Sequence, residues 1–200
     1  MKNTFDVGPE GWCSYDYHAS IVANGNNIFI LATHSKSGGV NNSGYVWTDE
    51  KRWSTDTPEN PISILPFIFY RNWIDAAPLD LENSNVSVYL RGDNLNLYNA
   101  KCYFWVHANN TRWHNVSFPL TIYDGQWGNA PDKINISSNH SDWHNSWSLS
   151  KSPTPLKDVL NKCESYGFSF VGFEEEVRGK FSIDEFEIKI GKHYPWLNKK

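Results

Sequence analysis

Two stretches of the chain alternate strictly between apolar and polar or aromatic side chains, and this period of two limits most strongly how the chain can fold. In residues 86–91, sequence VSVYLR, every second side chain is aliphatic. In residues 102–107, sequence CYFWVH, the same alternation separates Cys, Phe and Val from Tyr, Trp and His. Because successive side chains of a strand point to opposite faces, both stretches predict β-strands with one inward and one outward face.

The closing segment, residues 167–190, reads GFSFVGFEEEVRGKFSIDEFEIKI. Its two apolar runs, Phe168–Phe173 and Phe181–Ile190, are separated by a charged turn with Gly179, which predicts a β-hairpin. The apolar side chains of the second run occupy odd positions at its start and even positions at its end. A strand cannot keep them on one face across this change without an inserted residue, so we predict a β-bulge near Asp184.

One short helix is predicted immediately before this segment, over residues 154–166. Thr154 offers a capping hydroxyl and Pro155 suits the first helical position. Apolar side chains then recur at helical spacing, at Leu156, Val159, Leu160 and Cys163, until Gly167 closes the helix.

The remaining chain predicts further short strands and no alternation of strands with helices. We expect strands at Ala19–Ala23, Ile28–Thr33, Gly44–Trp53, Ile62–Trp73, Trp113–Phe118 and Lys133–Ser137, a turn at Asn24–Asn27, and a loop-rich segment from Asp124 to Pro153. Ile28–Thr33, unbroken in its apolar character, predicts a strand buried on both faces. The fold class is therefore all-β: an antiparallel β-sandwich or jelly roll, with one short helix before the last hairpin and residues 1–200 as a single domain.

Composition and charge exclude several classes of partner. The net charge is −4 and the basic residues are scattered, so no surface for a nucleic acid is expected. No window approaches the length of a membrane span, and the first residues lack the apolar core of a secretory signal. The three cysteines are odd in number and far apart in sequence, and we expect buried thiols.

The order LKDVLNKCESYGFSF followed by GKFSIDEFEI, residues 156–170 and 179–188, resembles the closing segment of carbohydrate-binding modules with a galactose-binding-like β-sandwich. The resemblance implies a jelly-roll fold and a glycan or polysaccharide partner. Such a function is compatible with a location outside the cell or on its surface, but the sequence does not identify the compartment. The resemblance also implies a structural Ca²⁺ at the edge of the sandwich, with Asp184 as one ligand and Asp6 or Glu10 as others. The alternative role for Asp184 is to cap the bulge by hydrogen bonding.

Aromatic side chains exceed what a core of this size needs, with ten Trp, ten Tyr and eleven Phe. A protein that holds sugars needs flat aromatic surfaces flanked by planar hydrogen-bonding groups. If the two alternating strands are neighbours in one sheet, their outward side chains supply that mixture on one face. The candidate ligand-binding residues are Arg71, Tyr89, Arg91, Tyr103, Trp105, His107 and Trp113.

Two alternatives remain open for this face. It is either an open cleft or a layer covered by other segments, in which case the site must be sought at Trp127, Trp143 and Trp147. The leading hypothesis is non-catalytic carbohydrate binding. The alternatives are a jelly-roll enzyme acting on polysaccharide, either a glycosidase or a lyase, and a sandwich that docks on another protein, including its own copy. Glu185 and Glu187 lie two apart, but the pattern Glu-x-Glu-x-Lys is typical of a solvated strand face.

Overall fold

The computed structural model describes residues 1–15, 29–55 and 62–191, and within these ranges the regular secondary structure is almost entirely β-strand. The strands are β1 (Lys2–Asn3), β2 (Trp12–Tyr15), β3 (Phe29–Leu31), β4 (Thr33–Ser35), β5 (Tyr45–Asp49), β6 (Ser54–Thr55), β7 (Ser63–Tyr70), β8 (Asn85–Asn96), β9 (Lys101–Ala108), β10 (Thr111–Asn115), β11 (Tyr123–Asp124), β12 (Asp132–Asn135), β13 (Trp143–Ser148), β14 (Ser165–Val171) and β15 (Arg178–Lys189). Helix α1 (Leu156–Asn161) is the one α-helix of the described residues, and 3₁₀ turns lie at Val40–Asn42, Arg71–Ile74 and His140–Asp142.

The strands form two sheets. The first sheet has the order β11-β8-β15-β5-β4, with β1 beside β15 and β12 beside β8. The second sheet has the order β13-β10-β9-β14-β7-β2-β3, with β6 beside β7. Among the described strands the pairings are antiparallel except that β11 runs parallel to β8. The predicted all-β sandwich is therefore confirmed.

Both alternating stretches are strands, as predicted, but they do not pair. Strand β8 lies beside β15 in the first sheet, whereas β9 lies between β10 and β14 in the second. Their inward side chains, such as Val88 and Phe104, belong to one buried core. Their outward side chains therefore lie on opposite outer faces of the sandwich, and the expected shared face is wrong.

The closing segment forms two strands that also lie in different sheets, so the predicted final hairpin is wrong. Strand β14 pairs with β7 and β9, and β15 pairs with β5 and β8. Their apolar faces meet across the core, where the Phe170 and Phe181 rings are 5.2 Å apart. The predicted bulge is confirmed: the register of β15 against β8 shifts between Asp184 and Glu187, and Glu185 has a φ of 47°.

Helix α1 is shorter than predicted, although its apolar stripe is confirmed. Leu156, Val159 and Leu160 are fully buried, and Cys163 beyond the helix is buried as well. The Thr154 hydroxyl does not cap the helix, because it donates to the carbonyl of Asn109. Gly167 does not close the helix either and lies inside β14.

The other local predictions have mixed outcomes. Strands β5 and β7 lie within the predicted Gly44–Trp53 and Ile62–Trp73, whereas β10 and β12 only overlap the predicted Trp113–Phe118 and Lys133–Ser137. The expected strand at Ala19–Ala23 and turn at Asn24–Asn27 lie outside the described residues. Strand β13 was missed, since its Trp, His and Asn residues resemble a loop.

The expected strand Ile28–Thr33 is divided between the two sheets, because β3 ends in the second sheet at Leu31 and β4 begins in the first at Thr33. Leu31 is half exposed, so burial on both faces is wrong. The three cysteines are buried and free, as expected. No helix of the described residues is long and apolar enough to cross a membrane.

Candidate functional site

The outer face of the second sheet carries a small apolar cluster that is separate from the main core. It consists of Cys13, Leu65, Ile68 and Trp105, with Tyr70 packed against it. The cross-strand register explains this grouping, since Trp105 of β9 lies opposite Gly167 of β14 and Gly167 lies opposite Ile68 of β7. Side chains in one such row share a face, so these strands together build the floor of a surface site.

A groove of about 450 Å³ opens above this cluster. Its walls combine apolar, aromatic and hydrogen-bonding side chains: Leu65, Ile68, Tyr70, Trp105, His107, Asn110, Arg112, Trp147, Leu149 and Ser165. This volume and mixture are typical of binding sites for small molecules. We call it the sheet groove.

Trp105 is the floor of the sheet groove and not an open platform. It is 2% exposed, and its indole N–H donates to the carbonyl of Phe168 at 3.1 Å. Of the two alternatives left open for this face, the covered one therefore holds for Trp105. Burial of this ring instead fixes the position of the side chains above it.

Arg112 and Trp147 form the layer next to Trp105. The Arg112 guanidinium lies 5.3 Å from the Trp105 ring and 5.7 Å from the Trp147 ring. Residues 107, 112 and 147 are directly opposite one another on β9, β10 and β13, which places the His107 ring 6.1 Å from that of Trp147. Cation–aromatic contacts of this kind hold a flat ring in a fixed orientation. The partly exposed Trp147 is therefore a positioned aromatic surface of the groove.

His107 contributes hydrogen bonding and not charge at neutral pH. Burial, with a smaller effect of the Arg112 charge, lowers the pKa of His107 to about 4. Its Nδ1 lies 3.2 Å from the Ser165 hydroxyl, and the Glu164 carboxylate is 4.0 Å away. Because Nδ1 is engaged by Ser165, the Nε2 atom of the neutral ring remains to donate to or accept from a ligand hydroxyl, depending on the tautomer.

The other predicted ligand residues are not brought together at the groove. Tyr103 shares the outward parity of β9 but does not line the groove. Trp113 has the opposite parity: it packs against the main core, with its indole N–H 3.1 Å from the carbonyl of Thr154. Arg71 lies in a 3₁₀ turn beyond β7, where its Nε donates to the carbonyl of Ala77.

Tyr89 and Arg91 lie on the outer face of the first sheet. Two guanidinium nitrogens of Arg91 contact one oxygen of Asp93, at 2.9 and 2.6 Å. The other Asp93 oxygen is 3.2 Å from the Lys180 ammonium. The Trp127 ring lies 5.8 Å from the Arg91 guanidinium, and its N–H donates to the carbonyl of Gly38 at 2.8 Å. This face is thus a network of protein groups paired with one another.

Besides the apolar Leu65, Ile68 and Leu149, the groove residues Tyr70, Asn110 and Ser165 were not identified from the sequence. Tyr70 ends a strand that was expected to continue to Trp73, and Asn110 lies in a turn. Of the three tryptophans named for a covered face, Trp147 lines the groove, Trp143 is buried in the core, and Trp127 lies on the opposite sheet. Alternation alone could not have identified Trp147, because Trp143 and Trp147 share one parity in the sequence and a register shift in β13 turns Trp147 to the outer face.

Asp184 is fully buried at the bulge and accepts hydrogen bonds on both carboxylate oxygens. Oδ2 accepts from the Val40 N–H at 2.7 Å and the Ser43 hydroxyl at 3.0 Å, and Oδ1 accepts from the Glu185 N–H at 2.7 Å. An N–H group cannot ligate Ca²⁺. No group of three or more His, Cys, Asp or Glu side chains among the described residues could hold a metal ion.

The acids named as further calcium ligands are also engaged. Glu10 accepts from the side-chain amide of Asn3 and from the Phe5 N–H, and Asp6 accepts from the Thr4 hydroxyl. These donor sets do not fit a calcium ion, whereas the hydrogen-bonding role of Asp184 matches the three contacts. The calcium site stays a prediction that chelation can test.

Comparison with known proteins gives the fold. No family model matches the chain, and no curated protein matches its sequence. Among solved structures, the family 11 carbohydrate-binding module of the Clostridium thermocellum cellulase Lic26A-Cel5E superposes with a TM-score of 0.51 and 13% identity, over 97% of this chain and 98% of that one. This chain therefore shares the β-sandwich fold of that module. The L4b domain of human laminin alpha-2 shares it, with a TM-score of 0.50 and 9% identity over 96% of this chain and 98% of that domain.

Proposed function

We propose that this protein binds a glycan, without cleaving it, in the sheet groove. The observation that carries the proposal is the stacked layer of Trp105, Arg112 and Trp147, which holds one partly exposed indole in a fixed orientation on a sheet face. The likeness of the fold to a carbohydrate-binding module supports the same ligand class. Since the laminin domain shares the fold, the fold alone does not identify a ligand, and the groove itself carries the proposal.

The chemistry of the groove matches that of sugar rings. A pyranose presents a face of C–H groups and a rim of hydroxyls, so it binds where an aromatic surface lies beside donors and acceptors. Trp147 and Tyr70 supply aromatic surface, while His107, Asn110 and Ser165 supply hydrogen bonds. Because Trp147 is held before any ligand arrives, little side-chain entropy is lost on binding.

The test compares two tryptophans on opposite sheets. Calorimetric titration of Trp147→Ala and Trp127→Ala is carried out against a panel of soluble neutral and acidic polysaccharides, with thermal melting of each variant. Trp147→Ala should lose at least about tenfold in affinity, as expected for an aromatic anchor, and should remain folded. Trp127→Ala is the matched control and should bind as the wild type does.

Specific outcomes would overturn the proposal. Equal loss of affinity in the two variants would place the site elsewhere, and binding to none of the polysaccharides would remove the glycan. Release of reducing ends from a bound polysaccharide would make the protein an enzyme. A concentration-dependent dimer that Trp147→Ala dissociates would make the groove a docking surface for a second copy.

A further inference from the structure

A second pocket, which we call the edge pocket, lies at the open edge of the sandwich. It forms where the chain leaves β10 of the second sheet, and β12 of the first sheet provides the other wall. Its volume is about 260 Å³, and it shares no lining residue with the sheet groove. It is therefore a separate compartment, with room for one small ring and not for a chain of rings.

Asn115, at the end of β10, is a buried amide in the wall of this pocket with one end unpaired. The residue is 3% exposed, and its Oδ1 accepts a hydrogen bond from the Ser117 hydroxyl at 2.6 Å. Its Nδ2 has no hydrogen-bond partner among the described residues. Because a buried donor without a partner is costly, such a group points to a ligand that supplies an acceptor.

Two carboxylates in the same pocket have unused capacity to accept hydrogen bonds. Oδ2 of Asp132 accepts from the Thr121 N–H at 2.8 Å, and no described group donates to its Oδ1. Burial raises the pKa of Asp132, and the hydrogen bond from the Thr121 N–H only partly offsets this effect.

Asp142 also has unused capacity to accept hydrogen bonds. It accepts one hydrogen bond on each oxygen, from the Asn139 amide at 3.2 Å and from the Ser141 hydroxyl at 3.3 Å. A carboxylate has about four acceptor positions, so lone pairs remain on both acids.

Phe118 lies at the mouth of the edge pocket with its ring in solvent. It is 78% exposed although it is a large apolar side chain. An aromatic ring beside a polar pocket offers a surface for the C–H groups of a ligand whose hydroxyls enter the pocket.

We propose that the edge pocket binds one neutral sugar ring. Its hydroxyls accept from the Asn115 amide and donate to Asp132 and Asp142, while its C–H face lies on Phe118. A metal cation is the poorer match, because the unpaired group is an N–H donor and no cluster of three acids, histidines or cysteines exists among the described residues. The inference does not depend on the sheet groove, since the two sites share no residue.

The test follows ¹⁵N-labelled protein by NMR during separate titrations with D-glucose, D-galactose, D-mannose and D-xylose. The side-chain NH₂ resonances of Asn115 should shift with at least one sugar, with a Kd in the millimolar range expected for so small a ligand. The indole N–H of Trp147 reports the sheet groove in the same spectra. The Trp147→Ala variant should retain the shifts at Asn115. A failure of binding at the sheet groove can therefore be distinguished from a failure of binding at the edge pocket.

Variants distinguish the proposed contacts from chance binding. Phe118→Ala and Asp132→Asn should each weaken the response at least about fivefold, because they remove an apolar surface and a charged acceptor. Both should fold, since Phe118 is exposed and an Asn side chain can still accept from Thr121. Val7→Ala, a change at an equally exposed apolar residue away from the pocket, is the control.

Three results would overturn the proposal. The first is the absence of shifts at Asn115 with all four sugars. The second is an equal response in Phe118→Ala, Asp132→Asn and the wild type. The third is a shift on addition of calcium chloride and with none of the sugars, which would make the pocket a cation site.

Discussion

The indole of Trp105 packs against Gly167 on the neighbouring strand. A Cβ at Gly167 would come within 2.8 Å of Cζ2 of the indole and would also collide with the carbonyl of Phe67. The glycine thus allows two strands and a large ring to approach more closely than any other residue would permit. The floor of the sheet groove depends on this close approach.

Changing either partner should therefore destabilise the fold. Gly167→Ala is expected to cost about 1–3 kcal/mol, because the added methyl must displace backbone or ring. Trp105→Ala is expected to cost about 3–5 kcal/mol through the cavity it leaves. Equilibrium unfolding in urea measures both, with Trp147→Ala as a control that should cost less. A midpoint for Trp105→Ala equal to that of the wild type would contradict the buried position of the ring.

His114 should make the protein less stable in acid. The residue is 2% exposed, and burial, with smaller effects of Arg112 and His144, lowers the pKa of His114 to about 3. Between pH 3 and 6.5 the unfolded chain therefore binds a proton that the native state does not, so stability falls as the pH falls through this range. At pH 5, which is 1.5 units below the ordinary pKa of histidine, His114 should lower the free energy of unfolding by about 2 kcal/mol.

The measurement is urea unfolding of the wild type and His114→Gln at pH 7 and pH 5. The variant cannot titrate and should lose less stability on acidification. His107 acts in the same direction, with a pKa of about 4, so some loss should persist in the variant. Equal losses in both proteins would mean that His114 is protonated in the native state.

Asp184 should have the opposite pH dependence. Burial raises the pKa of Asp184 to about 6, against an ordinary value of 3.8, despite the donors from Val40, Ser43 and Glu185. The native state then holds the proton more tightly than the unfolded chain, so the contribution of Asp184 to stability declines as the pH rises from about 4 to 6. Relative to Asp184→Asn, the wild type should lose stability over that range. A constant difference in melting temperature from pH 4 to 7 would contradict the raised pKa.

Chelation tests the calcium prediction for the same residue. Since the Asp184 oxygens already accept three hydrogen bonds, we expect EDTA to leave the melting temperature of the wild type unchanged. Asp184→Ala should have a lower melting temperature than the wild type, both with and without EDTA, because the Val40 N–H and the Ser43 hydroxyl lose their acceptor. An EDTA effect on the wild type that is absent from Asp184→Ala would establish the metal, since an ion bound to the native state stabilises it.

The sequence alone determined the local features of the fold. The alternation at 86–91 and 102–107 correctly gave two strands and the inward face of each, because side chains on a strand point alternately to its two faces. The change of parity correctly placed a bulge near Asp184. The apolar stripe of Leu156, Val159 and Leu160 correctly gave a helix, although its ends did not follow from Thr154 and Gly167.

The tertiary structure alone decided which strands are neighbours. Alternation fixes the two faces of one strand, but pairing depends on contacts between residues distant in sequence, which no local pattern records. Strands β8 and β9 are consecutive and similar, yet they lie in different sheets, and so do β14 and β15. For this reason Arg91 and Trp105 face away from each other, while Trp105, Arg112 and Trp147 meet through the adjacent strands β9, β10 and β13.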